Sequence, residues 1–218
     1  MRARSESSSA RISPRAPSGC RQERGGLPFY VSRELTPEWV RSGEAHRIGD
    51  FKLTTNNGSV LNASALDNKI SVVHFFFTEC NGVCPKTQPN LAWLLVQFPS
   101  ERRLQILSHS VKPERDSVAA LQSYAAEHRI TDPRWLLLTG STAEIEKLAV
   151  ESYYANLDDG RSYGVNDLAH TETVYLIDSG RHIRGVYNGT LRLDVEQLRD
   201  DIRLLARDAA SSMATQGH

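Results

Sequence analysis

Residues 70–85 read Ile70-Ser-Val-Val-His-Phe-Phe-Phe-Thr-Glu-Cys80-Asn-Gly-Val-Cys84-Pro85, an apolar run that leads directly into a pair of cysteines. The run up to Phe77 is rich in β-branched and aromatic residues and has the length of a buried central strand. Beyond Pro85, leucines recur at helical spacing, and proline is well tolerated in the first turn of a helix. The stretch therefore predicts a strand, a turn that carries both cysteines, and a helix.

Strand and helix signals alternate along the rest of the chain. An Asn57-Gly58 turn predicts an early β-hairpin, and the two strands expected at 173–177 and 183–187 form a second hairpin. Helical patterns separate the strands in between, so those strands are expected to pair in parallel. We predict an α/β fold, a three-layer sandwich with an N-terminal β-hairpin whose layout resembles that of thioredoxin.

Composition excludes several classes of protein. The chain has 218 residues, with 26 Lys and Arg against 26 Asp and Glu, which argues against a dedicated nucleic-acid binder. It contains no apolar run long enough to span a bilayer and no apolar core of a secretory signal. Three cysteines are too few for a disulfide scaffold.

The chain is expected to divide into three parts. Residues 1–26 hold six Arg and six Ser without apolar periodicity, which predicts a disordered basic leader. Residues 27–208 form the predicted domain, and residues 209–218 are expected to be a frayed tail. Cys20 is expected to be an exposed thiol of the leader, although Pro17-Ser-Gly-Cys20 is similar to the end of a lipoprotein signal.

The spacing of Cys80 and Cys84 points to a functional site. A thiol at a helix N-terminus is expected to ionise more easily than a free thiol, because the helix dipole favours negative charge there. Two cysteines four positions apart can face the same way, and Gly82 lets the loop between them bend. The pair can therefore close a disulfide or hold a soft metal ion, with simple filling of the core as the alternative.

A third metal ligand has to come from elsewhere in the chain. His74 and His109 fall in predicted strands and are expected to be satisfied core residues, whereas His128 and His182 are expected to be exposed. His170 precedes the strand predicted at 173–177. If that strand neighbours the cysteine strand, His170 reaches the sheet end where the cysteines lie.

Together these motifs resemble the SCO/SenC copper-binding proteins of respiratory-oxidase assembly. The resemblance covers about residues 27–207, and it implies that Cys80, Cys84 and His170 bind one copper ion, either Cu(I) or Cu(II). Two positions depart from the family pattern: Asn81 stands where many members have proline, and Lys112 where many have aspartate. The resemblance is carried by Leu27-Pro-Phe-Tyr30, Thr36-Pro-Glu-Trp39, Phe77–Pro85, Ser108–Asp116, Asp167–Glu172, Leu176–Asp178 and Arg184–Thr190.

The resemblance implies a copper metallochaperone rather than an enzyme. The implied client is the binuclear copper centre in subunit II of cytochrome c oxidase or a similar copper protein, and a thiol reductant protein is a further expected partner. The family works at a membrane, facing the periplasm or intermembrane space, so the resemblance implies a location that is periplasmic or membrane-anchored and facing the periplasm. Two alternatives stay open: a thiol–disulfide reductase that uses the redox-active pair Cys80 and Cys84 alone, and a redox or copper sensor.

Overall fold

The computed structural model describes residues 26–30, 37–38, 46–80, 82, 84–154 and 172–215. The strands are β1 (Phe29–Tyr30), β2 (Pro37–Glu38), β3 (Lys52–Thr55), β4 (Val60–Asn62), β5 (Ile70–Phe76), β6 (Leu104–Ser110), β7 (Trp135–Thr139), β8 (Thr173–Ile177) and β9 (Ile183–Asn188). The α-helices are α1 (Cys84–Val96), α2 (Val118–Glu127), α3 (Thr142–Lys147) and α4 (Arg192–Thr215). A 3-10 helix spans Ala63–Leu66, and a π-helical turn spans Leu148–Ser152.

Seven of these strands form one sheet in the order β4-β3-β7-β6-β5-β8-β9. Strands β5, β6 and β7 pair in parallel, as the helical connections predict. Strand β8 pairs antiparallel with β5 and leads into the hairpin partner β9, which forms one edge of the sheet. The early hairpin of β3 and β4 forms the other edge, because β3 pairs antiparallel with β7. Strands β1 and β2 form a separate antiparallel pair.

The central strands are apolar throughout because both faces of the sheet are covered. Every residue of β5 is buried, and neighbouring side chains of a strand point to opposite faces. Phe76 packs against Tyr124 of α2, with ring centroids 5.3 Å apart, whereas Phe75 packs against Tyr153, at 5.6 Å. This two-sided burial accounts for the continuous apolar run in the sequence.

Helix α1 is held firmly at its C-terminal end. The guanidinium of Arg134, the residue before β7, donates to the Leu95 carbonyl in the last turn at 3.3 Å and to the Phe98 carbonyl just beyond the helix at 2.5 Å. Asp132 orients this guanidinium through an ion pair of 2.6 Å. Each of these carbonyls also accepts a backbone N–H, from Phe98 at 3.1 Å and from Glu101 at 3.3 Å, so the arginine adds a second hydrogen bond to each.

One arginine of the β8–β9 hairpin binds residues 27–29 to that hairpin. Arg184 donates to the carbonyls of Leu27 and Pro28, at 2.6 and 3.0 Å, and its guanidinium lies 3.9 Å from the centroid of the Phe29 ring. Asp178, at 2.9 Å, balances the charge of Arg184. At the other end of the chain α4 continues to Thr215, beyond the expected domain boundary, and the boundaries proposed above stay predictions.

No helix in the described ranges combines the length and the apolar character that crossing a membrane requires.

Candidate metal centre

The two cysteines flank the junction between β5 and α1. The chain turns immediately after the strand, and the Cys80 N–H closes this turn by donating to the Phe77 carbonyl at 3.2 Å. Cys84 is the first residue of α1, and Pro85 occupies the first turn of the helix, as predicted. Pro89 lies inside the same helix. The strand-turn-helix order expected for residues 70–85 is therefore present.

Both cysteines are in the thiol form and are largely shielded from solvent. Cys80 is 9% exposed and Cys84 is 3% exposed. Burial raises the pKa of the Cys84 thiol well above its ordinary value, and a hydrogen bond with Cys80 raises this pKa further. The backbone of Phe77 and of Cys84 itself acts in the opposite direction. The expectation of an easily ionised thiol is wrong for Cys84, because desolvation outweighs the helix terminus.

Residues after the adjacent strand β6 contact the cysteine turn. Strands β5 and β6 run in parallel, so their carboxyl ends meet at one edge of the sheet. The buried carboxylate of Asp116 accepts hydrogen bonds from Thr78, and Arg115 pairs with Glu79 on the surface, at 2.5 Å. The cap of helix α2 is Ser117, whose side chain accepts from the Ala120 N–H.

The strand that follows His170 is a neighbour of the cysteine strand. Strand β8 begins at Thr173, and its Val174 lies opposite His74 of β5. Because the two strands are antiparallel, the start of β8 lies toward the carboxyl end of β5, where the cysteine turn begins. The strand order on which the prediction for His170 depends is thus present. His170 itself and Cys20 lie outside the described residues.

The described part of the chain contains no group of three or more His, Cys, Asp and Glu side chains that can hold a metal ion. Two histidines differ from their predicted environments. His182 is 7% exposed rather than solvated, and its Nδ1 lies 3.1 Å from Asp178. His109 is buried as expected, but neither of its ring nitrogens has a hydrogen-bond partner within the described ranges. His74 is satisfied, since its Nε2 lies 2.6 Å from the Ser108 hydroxyl.

Comparison with known protein families identifies the family of the chain. The family model described as SCO1/SenC matches residues 40–207. The chain belongs to the SCO1/SenC family. This membership confirms the family resemblance that the cysteine motif and the other quoted segments indicate.

Relatives of this SCO1/SenC protein share its fold. The SCO1 protein homolog of Bacillus subtilis is 25% identical over 180 residues, which cover 82% of this chain and 92% of the relative. The structure of a SCO1/SenC family lipoprotein from Bacillus anthracis has 26% identity and a TM-score of 0.64, and the match covers 77% of this chain and 99% of that one. The structure of Bradyrhizobium japonicum ScoI with copper bound has 26% identity and a TM-score of 0.58, with 74% and 99% covered. These structures confirm the thioredoxin-like α/β fold.

Proposed function

We propose that this SCO1/SenC protein is a copper metallochaperone that holds one copper ion through Cys80, Cys84 and His170. The observation that carries the proposal is the pair of cysteine thiols, hydrogen-bonded to each other, where β5 passes into α1. A relative with 26% identity has been solved with copper bound. Strand β8, which follows His170, lies beside β5.

The donor set suits copper as a transferable cargo. Two thiolates favour Cu(I), and an imidazole ligand can also hold Cu(II). The raised pKa of Cys84 means that copper has to displace a proton from this thiol when it binds. When the two metal-bound thiolates pass two electrons to a disulfide of a client protein, they form the Cys80–Cys84 disulfide, and the client disulfide takes up two protons and becomes a dithiol. Both sulfur ligands are then lost, which releases the metal.

Family membership supports a proposed client and a proposed location. Sco proteins are a family of cytochrome c oxidase assembly proteins. We propose that subunit II of the oxidase, or a similar copper protein, receives the ion and that a thiol reductant protein restores the cysteine pair. The Bacillus anthracis relative is a lipoprotein, and we propose that this protein likewise acts at a membrane, facing the periplasm.

Copper stoichiometry of the fully reduced protein tests the ligand set. Wild type is expected to hold one copper per chain, and Cys80→Ser, Cys84→Ser and His170→Ala are each expected to lose or weaken binding. Cys20→Ser is the matched thiol control, and His128→Ala is the matched imidazole control because that side chain is exposed. Full binding by any of the three ligand variants excludes that residue from the site.

A thiol–disulfide reductase is the second candidate, and the contact between the two thiols favours it. Adjacent thiols can attack a client disulfide and then close a disulfide of their own. This reaction uses Cys80 and Cys84 alone, so His170→Ala is expected to leave disulfide exchange intact. A reduced wild type that exchanges disulfides but binds no copper selects the reductase.

A further inference from the structure

One buried carboxylate joins the cysteine turn to the end of the neighbouring strand. Asp116 is 1% exposed and lies outside the proposed set of copper ligands. Its carboxylate accepts from the Thr78 backbone N–H at 3.2 Å, from the Thr78 hydroxyl at 2.5 Å and from the Ser110 hydroxyl at 2.6 Å. Thr78 lies in the turn, and Ser110 is the last residue of β6.

The loop that carries Asp116 is itself held in place. The Val111 N–H donates to the Phe76 carbonyl at 2.9 Å, which continues the pairing of β6 with β5 beyond the strand. The Asp116 N–H donates to the Lys112 carbonyl at 2.9 Å, and the Lys112 N–H donates to the Ser110 hydroxyl at 3.1 Å. These bonds close the loop, so the carboxylate approaches the turn from a fixed position.

Two other contacts between the same loop and turn lie nearer the surface. The ion pair of Arg115 with Glu79 joins two side chains that are each 56% exposed, and Lys112 Nζ lies 4.1 Å from the centroid of the Phe77 ring. Water screens an exposed pair, which therefore adds little. Removing the acceptor of buried hydrogen bonds leaves donors without partners, so Asp116 dominates the attachment.

We propose that Asp116 is a positioning residue, which sets the place of the Cys80 thiol relative to the Cys84 thiol. Cys80 follows Thr78 by two residues, within the turn that the Cys80 N–H closes. Cys84 is placed separately, by α1. The distance between the two sulfurs thus depends on how the turn is held. For copper this role rests on the proposed function, whereas for disulfide formation it depends only on the two cysteines.

The test compares Asp116→Asn with Asp201→Asn. An asparagine amide has one acceptor oxygen where the carboxylate has two, so it cannot satisfy all the donors around Asp116. Asp201 is a matched control because it is also 1% exposed, and its carboxylate accepts from Tyr187 and Gln197, away from the turn. Two constants are measured in each protein: the Kd for Cu(I), by competition with a chelator, and the equilibrium constant for the Cys80–Cys84 disulfide, in glutathione buffers.

We expect Asp116→Asn to weaken Cu(I) binding by about 10- to 100-fold, as loss of an outer-sphere support does at other metal sites. We expect the disulfide equilibrium constant to fall about tenfold, which corresponds to about 30 mV, because a loosened turn lowers the effective concentration of one thiol at the other. Asp201→Asn is expected to keep both constants within about twofold of wild type, since it shares no partner with the turn.

Three results separate the possibilities. If Asp116→Asn changes both constants no more than Asp201→Asn does, the proposal is overturned and Asp116 only stabilises the fold. If no protein binds copper but the disulfide constant still falls in Asp116→Asn, the copper function fails and the positioning role stands. If Asp116→Asn does not fold, Thr78→Val and Ser110→Ala each remove one donor to the carboxylate, and unchanged constants in both variants overturn the proposal.

Discussion

Replacement of His109 by leucine is expected to make the protein more stable, and the gain is expected to grow in acid. His109 is completely buried and packs against the rings of Phe51, Phe75 and Tyr153, with centroids 6.1, 5.5 and 5.8 Å away. Its two ring nitrogens have no hydrogen-bond partner within the described residues. Leucine removes both polar atoms and fills a similar volume.

The expected gain in the free energy of unfolding has one part that does not depend on pH and one part that does. A buried polar group without a partner costs about 1–3 kcal/mol, so His109→Leu is expected to gain about that much at pH 7.5. Burial, together with a smaller effect of His74, lowers the pKa of His109 from 6.5 to about 3. The unfolded chain therefore binds a proton below about pH 6.5 that the folded protein does not bind, and stability falls as the pH falls. At pH 5 this difference amounts to about 2 kcal/mol.

Urea unfolding of wild type and His109→Leu at pH 7.5, 6 and 5 measures both parts. The free energies of unfolding are expected to run parallel above pH 7 and to separate by about a further 2 kcal/mol by pH 5. Both proteins contain a second acid-sensitive group, because burial lowers the pKa of His74 to about 4. The variant is therefore expected to keep the part of the pH dependence of stability that His74 causes. A variant that is less stable than wild type at pH 7.5 and has the same pH slope refutes the reasoning.

Three further predictions concern other parts of the molecule. Copper binding to the reduced protein at pH 7 is expected to release protons, because burial holds the pKa of Cys84 high; titration calorimetry in buffers of different ionisation enthalpy counts them, and zero protons contradicts the assignment. Arg184→Ala is expected to cost about 2–4 kcal/mol by leaving the buried Asp178 without its arginine, and to speed proteolysis near Leu27; unchanged cleavage rules out the proposed attachment. Gly140→Ala is expected to cost about 1–3 kcal/mol, since its Cβ meets a Leu53 methyl at 2.5 Å, and a denaturation midpoint equal to that of wild type shows that Leu53 moves aside.

The elements that sequence predicts well are those in which local pattern and tertiary environment agree. Strand β8 begins and ends where predicted, and β5 differs from its prediction by one residue at its end. Their apolar runs match the two-sided burial of a central strand, so periodicity and packing give the same answer. The cysteine turn was predictable for a similar reason, since Gly82 and Pro85 mark a strand-to-helix junction in any context.

The features of the site that could not be predicted from the sequence depend on contacts between residues far apart in the chain. The raised pKa of Cys84 results from burial that only the folded domain provides. The sequence predicts only that Cys84 lies at a helix N-terminus. His182 lies in a polar stretch, but Asp178 and Phe29 bury it. Asp116 follows a predicted strand whose parallel pairing with β5 was expected. That pairing predicts that Asp116 lies near the cysteine turn. The three hydrogen bonds to its carboxylate are visible only in the structure.

The two ends of α1 differ mechanically. At the far end Arg134 donates to one carbonyl of the last turn and to one just beyond the helix. Near the start, Pro89 has no N–H to donate to the carbonyl of Pro85, four residues earlier. The opening turn, which contains Cys84, therefore lacks one of the hydrogen bonds that would join it to the next turn. We expect a change in the spacing of the two sulfurs to be accommodated more readily in this opening turn than in the rest of α1. The rest of the domain can then keep one shape while that spacing changes.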